Sequence, residues 1–371
     1  MIMLRARAEI DLNALTDNFR TIRARVTGHA RVLCVVKADA YGHGAVPIAR
    51  HLEVQGADFF GVVTVDEGIE LREHGIVKPI LVMGGVMPWD DVEAFREHSL
   101  TPVIADLQAF SRLASDAANR RQEIKVHVKV DTGMGRLGFS YNDLDALAAA
   151  LRASKYVKVE GVMSHFSSSE VRDSYGLLQI DRFRDVVALL RKNGVEPEIL
   201  HMANGGAVCQ YPEAHFDMVR VGIMLYGAYP DRSLAEKIVV HPVMRLVSRV
   251  AYVREFPAGS PLSYGRTFVT QRTTHVACVA MGYADGVPRA LSNKGAVLIK
   301  GQRVPIVGRV CMDFFLADVT GVADVTPGEE VILVGTSGNN SISPDEVAEQ
   351  VGTIPYQILC GISRRVPRAY V

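Results

Sequence analysis

The sequence contains no apolar run long enough to span a bilayer. Its opening residues, Met1-Ile2-Met3-Leu4-Arg5-Ala6-Arg7, lack the sustained apolar core of a secretory signal. Neither a membrane partner nor export is expected, and the expected compartment is the cytoplasm. An excess of one charge sign is missing too: Lys+Arg and Asp+Glu stand at 41 each. Without a basic field there is no footprint for nucleic acid, and without a polybasic run none for a membrane surface. Cysteine is sparse. The five (Cys34, Cys209, Cys278, Cys311 and Cys360) are odd in number and far apart. That spacing excludes a CxxC metal site and a disulfide framework, and fits a reducing compartment. No internal repeat or low-complexity linker interrupts the chain, and no metal site is expected.

What is present is an ordinary soluble composition, 48% hydrophobic and 22% charged. At 371 residues the chain exceeds one ordinary core, so two domains are expected. Its organising stretch is Lys37-Ala38-Asp39-Ala40-Tyr41-Gly42-His43-Gly44. The preceding run Val32-Leu33-Cys34-Val35-Val36 is short, apolar and β-branched, and reads as a strand buried on both faces. A lysine at the end of such a strand, entering a loop with two glycines, suits Schiff-base chemistry. That chemistry needs a dry site to lower the amine's pKa and a rigid element to aim it. The plainer reading of the same position is a lysine snorkelling to solvent.

Asp11 reads as an N-cap, followed by Leu12, Leu15, Phe19, Ile22 and Val26 at helical spacing. After Lys37, strand candidates alternate with helical patterns. Strands are expected at 32–36, 59–63, 80–83, 102–104, 124–130, 157–163, 198–202 and 218–220. Helices are expected between them, at 66–74, 89–97, 107–117, 143–153 and 177–192. Eight alternating units are the arithmetic of an α/β barrel of the TIM type; an open doubly wound sheet is the other arrangement. Near Ile238 the pattern changes. Strand-like runs at 246–256, 274–281, 296–299, 304–319 and 331–334 follow one another as a mainly-β module. One helix interrupts it, with Ser343 as cap, Pro344 at its first position and Glu346 completing a capping box. The expected domains are therefore a barrel over 11–238 and a β-rich domain over 239–371, with residues 1–10 free to pair with the second.

In a barrel, chemistry belongs at the carboxyl ends of the strands. Lys37, Arg136, His165, Asn204-Gly205-Gly206 and Arg220-Val221-Gly222-Ile223 all fall there. Each alone has a plain structural reading; their convergence points to a site. The loops after strands seven and eight are where barrels often hold phosphate, and glycine there lets backbone N–H groups approach an anion. On strand five, Lys125, His127 and Lys129 share one face. If that face points inward, a buried lysine must be paired, neutral or modified; if the strand is shorter, the face is wet.

These motifs resemble one family. Val36-Lys37-Ala38-Asp39-Ala40-Tyr41-Gly42-His43-Gly44 resembles the cofactor-lysine signature of bacterial alanine racemases. So do Lys129-Val130-Asp131-Thr132-Gly133-Met134-Gly135-Arg136, Arg220-Val221-Gly222-Ile223 and Leu225-Tyr226-Gly227. In the second domain, Ser263-Tyr264-Gly265, Gly282-Tyr283-Ala284-Asp285-Gly286 and Gly308-Arg309-Val310-Cys311-Met312-Asp313 continue the resemblance. It covers almost the whole chain.

The resemblance implies pyridoxal 5′-phosphate, an N-terminal barrel, a β-rich C-terminal domain and a head-to-tail homodimer with shared active sites. It implies interconversion of L-alanine and D-alanine, supplying D-alanine for peptidoglycan. It gives Lys37 and the partner subunit's Tyr264 as the two bases, Arg220 as the partner of the pyridine nitrogen, and His165 as the link between Arg220 and Tyr264. Tyr41, Gly222, Ile223 and Tyr356 match phosphate-binding positions, and Asn204 could orient that loop. Arg136 and the backbone N–H of Met312 match a substrate-carboxylate site. Lys129 matches a position that is often carbamylated, and Tyr283 with Tyr356 resembles a pair that narrows the entrance. Two positions depart from the pattern. Gly205 stands where a serine commonly bonds the phosphate, and Val287 replaces a bulkier aromatic, which puts the entrance's shape in question. A racemase of broader specificity or a barrel-type amino acid decarboxylase is the alternative, but a decarboxylase should lack the Tyr264 base and the Arg136 clamp. A cofactor-binding barrel without activity should stop before the β-rich module.

Overall fold

The computed structural model describes residues 4–140 and 144–371. The chain opens with β1 (Ala6–Ile10), then a helix over Leu12–Arg23. Asp11 caps that helix by accepting from the N–H groups of Asn13 and Ala14, and Leu15, Phe19 and Ile22 form its buried stripe. Val26 lies beyond its end.

The first domain is built on β2 (Arg31–Val35), β3 (Phe59–Val62), β4 (Ile80–Val82), β5 (Leu100–Ile104), β6 (Ile124–Asp131), β8 (Val157–Met163), β9 (Ile199–His201) and β10 (Met218–Val221); the short β7 (Phe139–Ser140) runs beside β6. The eight principal strands pair in parallel in the order β10-β2-β3-β4-β5-β6-β8-β9. The two ends meet just past β9. Asn204 bridges Arg220, and the Arg220 N–H donates to the Ala203 carbonyl at 2.9 Å. The sheet is therefore a closed α/β barrel rather than an open one. Helices cover its outside, so strands such as β3 and β4 are buried throughout and their sequences carry unbroken apolar runs. The expected start of one helix, Asp143, lies outside the described residues; the helix is described from Leu144 to Ala153.

The second domain contains β11 (Met244–Phe256), β12 (Pro261–Leu262), β13 (Phe268–Val269), β14 (Thr274–Val279), β15 (Ala296–Ile299), β16 (Gln302–Val307), β17 (Phe315–Asp318), β18 (Glu330–Ser337), β19 (Asn340–Ile342) and β20 (Arg368–Tyr370). Most belong to one sheet in the order β19-β18-β15-β16-β17-β14-β11-β1-β20. β1 lies antiparallel to β11 and parallel to β20.

Three expectations change here. The run 304–319 is not continuous: β16 and β17 are separated by a loop that begins at Gly308 with φ +72°. A Cβ there would fall 2.6 Å from the Ser263 Cβ, so the break is built in. Ser343 does cap the helix Pro344–Val351, accepting from the Glu346 N–H at 3.0 Å. The Glu346 carboxylate does not complete the box; it takes both Arg303 Nη groups at 2.6 Å instead. A second helix, Pro355–Cys360, escaped the sequence reading and carries Tyr356.

Candidate active site

β2 ends one residue before Val36, and the backbone then does something unusual. Ala38, Asp39, Ala40 and Tyr41 all take left-handed helical angles, φ 51° to 54°. For L-residues each such conformation costs roughly 1–2 kcal/mol, so the turn must be held from outside. The Ala38 N–H donates to Glu67 Oε1 at 2.6 Å, and Asp39 Oδ1 accepts from the Ala45 N–H at 2.8 Å. His43 Nδ1 lies 3.0 Å from the Ala40 carbonyl and 3.1 Å from that of Tyr41. The two glycines of the stretch make room for the second domain. A Cβ on Gly42 would fall 2.3 Å from the Leu359 carbonyl oxygen, and one on Gly44 1.9 Å from the Tyr370 hydroxyl. The lysine turn is thus clamped between the barrel and the C-terminal elements.

The carboxyl ends of the strands open on a cavity of about 600 Å³. Lys37 and Tyr41 reach it from the turn after β2, Lys129 and Arg136 from β6 and the loop beyond, and His165 from the loop after β8. Asn204 and Gly205 line it after β9, Arg220, Gly222 and Ile223 at the end of β10, and Tyr356 from the second domain. Four of these groups are cationic (Lys37, Lys129, Arg136, Arg220), and among the described residues none that lines the cavity is a carboxylate. Such a cavity attracts anions. The side chains of Lys37, Lys129 and Arg136 make no hydrogen bond among the described residues and are free to donate to an anion. Burial, then the nearby Arg136, holds the Lys37 amine below its usual range. Burial, then Arg220 and Arg136, brings Lys129 down to about 8. Lys129 is 6% exposed, so strand five does turn its basic face inward.

Arg220 is 3% exposed and forms no ion pair with a carboxylate among the described residues. Its Nη2 donates to the Ser164 carbonyl at 2.8 Å, the Met202 carbonyl at 3.1 Å and His165 Nδ1 at 2.9 Å; Nη1 donates to His201 Nδ1 at 3.1 Å. An arginine only donates, so His165 carries its proton on Nε2. Burial and then Arg220 push His165 well below its ordinary value, which keeps it neutral.

Two residues past Arg220, a Cβ on Gly222 would fall 2.6 Å from the Tyr41 hydroxyl, so that hydroxyl packs directly on the Gly222 backbone. The Tyr41 ring packs at a tilt against both Tyr226 and Tyr356, with ring centroids 5.0 and 5.8 Å away. Burial raises Tyr41 far above the usual tyrosine range and Tyr356 to about 12, so both remain donors. Asn204 Oδ1 caps the Ala207 N–H at 3.1 Å, leaving the N–H groups of Gly205 and Gly206 without partners among the described residues.

The β-domain residues stand apart. Tyr264 is 72% exposed, Met312 53% and Tyr283 44%, and none lines this cavity. Their loops are tied together: the Tyr283 N–H donates to the Cys311 carbonyl at 2.9 Å, the Ala284 N–H to the Met312 carbonyl at 3.0 Å, and Ser263 Oγ to the Arg309 carbonyl at 2.7 Å. Val287 is buried and does not line the cavity of its own chain. Sequence reasoning missed His201; its place at the carboxyl end of a predicted strand was the available signal.

A closed α/β barrel with a strand-end lysine in a cationic cavity, joined to a mainly-β domain, defines a class of lysine-centred barrel enzyme. Residues 10–230 match the family description "Alanine racemase, N-terminal domain" and residues 243–370 match "Alanine racemase, C-terminal domain". The chain belongs to the alanine racemase family. It is 42% identical over 364 residues to an alanine racemase of Halothermothrix orenii, covering 98% of this chain and 96% of that one. The solved alanine racemase of D-cycloserine-producing Streptomyces lavendulae superposes with a TM-score of 0.94 at 36% identity, over 100% of this chain and 98% of that one. An alanine racemase from Bartonella henselae with covalently bound pyridoxal phosphate superposes with a TM-score of 0.88 at 28% identity, over 99% of this chain and 100% of that one.

Proposed function

We propose that this protein is an isomerase that interconverts L-alanine and D-alanine with pyridoxal 5′-phosphate bound at Lys37. The observation that carries the reading is the meeting of Lys37 and Arg220 in a cavity whose charged lining groups, among the described residues, are all cations. The cavity suits a cofactor with a phosphate and a substrate with a carboxylate. At the phosphate end, Tyr41, Tyr356 and the N–H groups of Gly205, Gly206, Gly222 and Ile223 would serve as donors, with Asn204 fixing the loop. The absent hydroxyl at Gly205 leaves more of this task to backbone groups. At the other end Arg220 would face the ring nitrogen. Being permanently protonated, it only donates, so that nitrogen stays unprotonated. When bound, the cofactor withdraws electrons from the substrate Cα and makes its proton removable.

Racemisation removes a proton from one face of Cα and returns it on the other. Lys37 would serve one face, and its depressed pKa favours the neutral amine a base needs. Tyr264 would serve the other. Its exposure supports a site completed by a second subunit, with the Tyr264, Tyr283 and Met312 loops covering the partner's cavity. There His165 Nε2–H would donate to the Tyr264 phenolic oxygen and stabilise negative charge on it. Arg136, together with the Met312 N–H, would hold the substrate carboxylate, which argues against decarboxylation. Lys129 would carry a carbamate, whose negative charge would hold Arg136 in place. The chain would then work as a cytoplasmic homodimer supplying D-alanine for peptidoglycan.

The deciding experiment incubates the cofactor-loaded protein with L-alanine in deuterated water. D-alanine carrying deuterium at Cα is expected. Release of carbon dioxide, or no inversion, would overturn the reading.

A further inference from the structure

The centre of a barrel is usually filled with branched apolar side chains. Here it holds a chain of polar groups running from the cavity toward the opposite end of the barrel. His127 on β6 and His201 on β9 are both fully buried. His201 Nε2 lies 2.8 Å from His127 Nδ1, and His127 Nε2 lies 3.3 Å from Glu160 Oε2. The other Glu160 oxygen accepts from Lys125 Nζ at 2.9 Å, and Lys125 is half exposed. At the upper end, Arg220 Nη1 donates to His201 Nδ1 at 3.1 Å.

The direction of every bond follows from the two ends. Arg220 cannot accept, so His201 Nδ1 is bare and its proton is on Nε2. That proton is donated to His127 Nδ1, which leaves the His127 proton on Nε2, facing a carboxylate that cannot donate. Burial holds both imidazoles below their ordinary value, so each keeps one proton. The His127 N–H, and then Lys125, hold Glu160 down at about 2, so it is an anion. The anion at the far end, which Lys125 also pairs, thus stands two imidazoles away from the buried Arg220.

The backbone is adapted to this chain. Along β6 and β8, Val126 pairs with Val159 but His127 pairs with Gly161, so Glu160 is the extra residue of a β-bulge. Bulges of this kind re-aim a side chain. A Cβ on Gly161 would fall 2.4 Å from His127 Nδ1, so the missing side chain makes room for the ring. Polar groups are costly in such a place unless every partner is present.

We propose that Glu160 is a positioning residue for the reaction: as the anionic acceptor at the far end it polarises the His127 and His201 bonds and so sets the strength with which the guanidinium donates into the cavity. The inference rests on the reading of Arg220 as the group facing the cofactor ring. Replacing Glu160 by Gln keeps the shape but removes the charge; Arg220 still imposes the bond directions and the amide oxygen can accept from His127, so the variant isolates the effect of the charge.

The test has two arms. In the cofactor-free protein with ¹⁵N-labelled histidine, the wild type should display bare Nδ1 and protonated Nε2 at both His127 and His201. Glu160→Gln should shift or broaden the His201 signals although Glu160 does not touch that ring. In the loaded enzyme, Glu160→Gln should lower kcat roughly tenfold, the scale of one charge-assisted hydrogen bond. KM for alanine should stay within about twofold, because substrate binding is not altered. His127→Asn should give the same loss, and the double variant no more than either alone. Unchanged His201 signals, additive losses, or a loss confined to thermal stability would each overturn the proposal. If Glu160→Gln does not fold, His127→Asn and Lys125→Met carry the same readouts. If the wild type does not racemise alanine, the functional reading falls, while the cofactor-free arm still decides the relay.

Discussion

Lys129 illustrates how a single residue's surroundings set its chemistry. Burial first, then Arg220 and Arg136, outweigh the opposing Asp131 carboxylate and bring its amine down to about 8. The folded-state value lies below that of a free lysine, so the charged form costs stability below about pH 8. That cost fades as the pH rises toward the ordinary lysine value of 10.5. In the cofactor-free, unmodified protein, Lys129→Met should therefore be more stable than wild type at neutral pH, with the advantage shrinking above pH 8; chemical denaturation across that range measures it. A neutral amine can add carbon dioxide and release a proton to give a carbamate anion. With ¹³C-labelled bicarbonate, a carbamate signal should grow from pH 6 to pH 8 and be absent from Lys129→Ala. Gly205 is the second residue-scale case. Its φ lies outside the left-handed region, and a Cβ there would meet only the flexible Met224 Sδ, at 3.1 Å. Gly205→Ser should thus be tolerated and tighten pyridoxal phosphate binding by roughly 0.5–1.5 kcal/mol, as for one added hydrogen bond. Equilibrium titration of the cofactor-free variant checks this, and weaker binding would mean that backbone groups already satisfy the phosphate.

Among the elements, the left-handed turn after Lys37 depends most on its supports. Glu67 is the main one. One carboxylate oxygen takes the Ala38 N–H, and the other takes the N–H groups of Val63 at 2.8 Å and Thr64 at 3.2 Å. It therefore completes the capping box of the helix Val65–Glu73 while pinning the turn. Glu67→Ala should cost about 0.5–2 kcal/mol of stability, the range for losing a helix cap. It should also slow capture of the cofactor aldehyde, because Lys37 is no longer aimed. A thermal melt reads the first effect and stopped-flow absorbance the second; a variant with wild-type values in both would show the turn to be self-supporting. The residues of this turn were prominent in the sequence, but its hand was not. Two alanines, an aspartate and a tyrosine carry no local preference for positive φ strong enough to announce it. The angles are imposed by Glu67, Asp39 and the second domain's close approach.

For the whole molecule, Tyr264 and Met312 are exposed and do not line the cavity of their own chain. A two-fold dimer with shared sites predicts a count. Lys37→Ala and Tyr264→Phe dimers, each inactive, are mixed and allowed to exchange subunits. Each mixed dimer holds one site with both defects and one with neither. Equal mixing makes about half of the dimers mixed, so roughly a quarter of all sites should regain activity. No recovery, once a tagged pull-down has confirmed exchange, would place Tyr264 in its own chain's site or remove it from the chemistry.

The sequence by itself determined the barrel, the β-rich second domain and most of the cavity wall. Alternating apolar runs and helical stripes encode burial directly, and the Lys37, Arg136 and Arg220 motifs sit at strand ends that periodicity can locate. Only the tertiary structure decided that 304–319 breaks at Gly308, that Glu346 turns to Arg303, and that Pro355–Cys360 brings Tyr356 to the cavity. Only the tertiary structure joined Arg220, His201, His127 and Glu160, which lie on four different strands. Periodicity reports which face a residue occupies within its own strand. Which side chains meet across a closed barrel depends on strand register and on one bulged residue, and these are fixed only when the sheet closes.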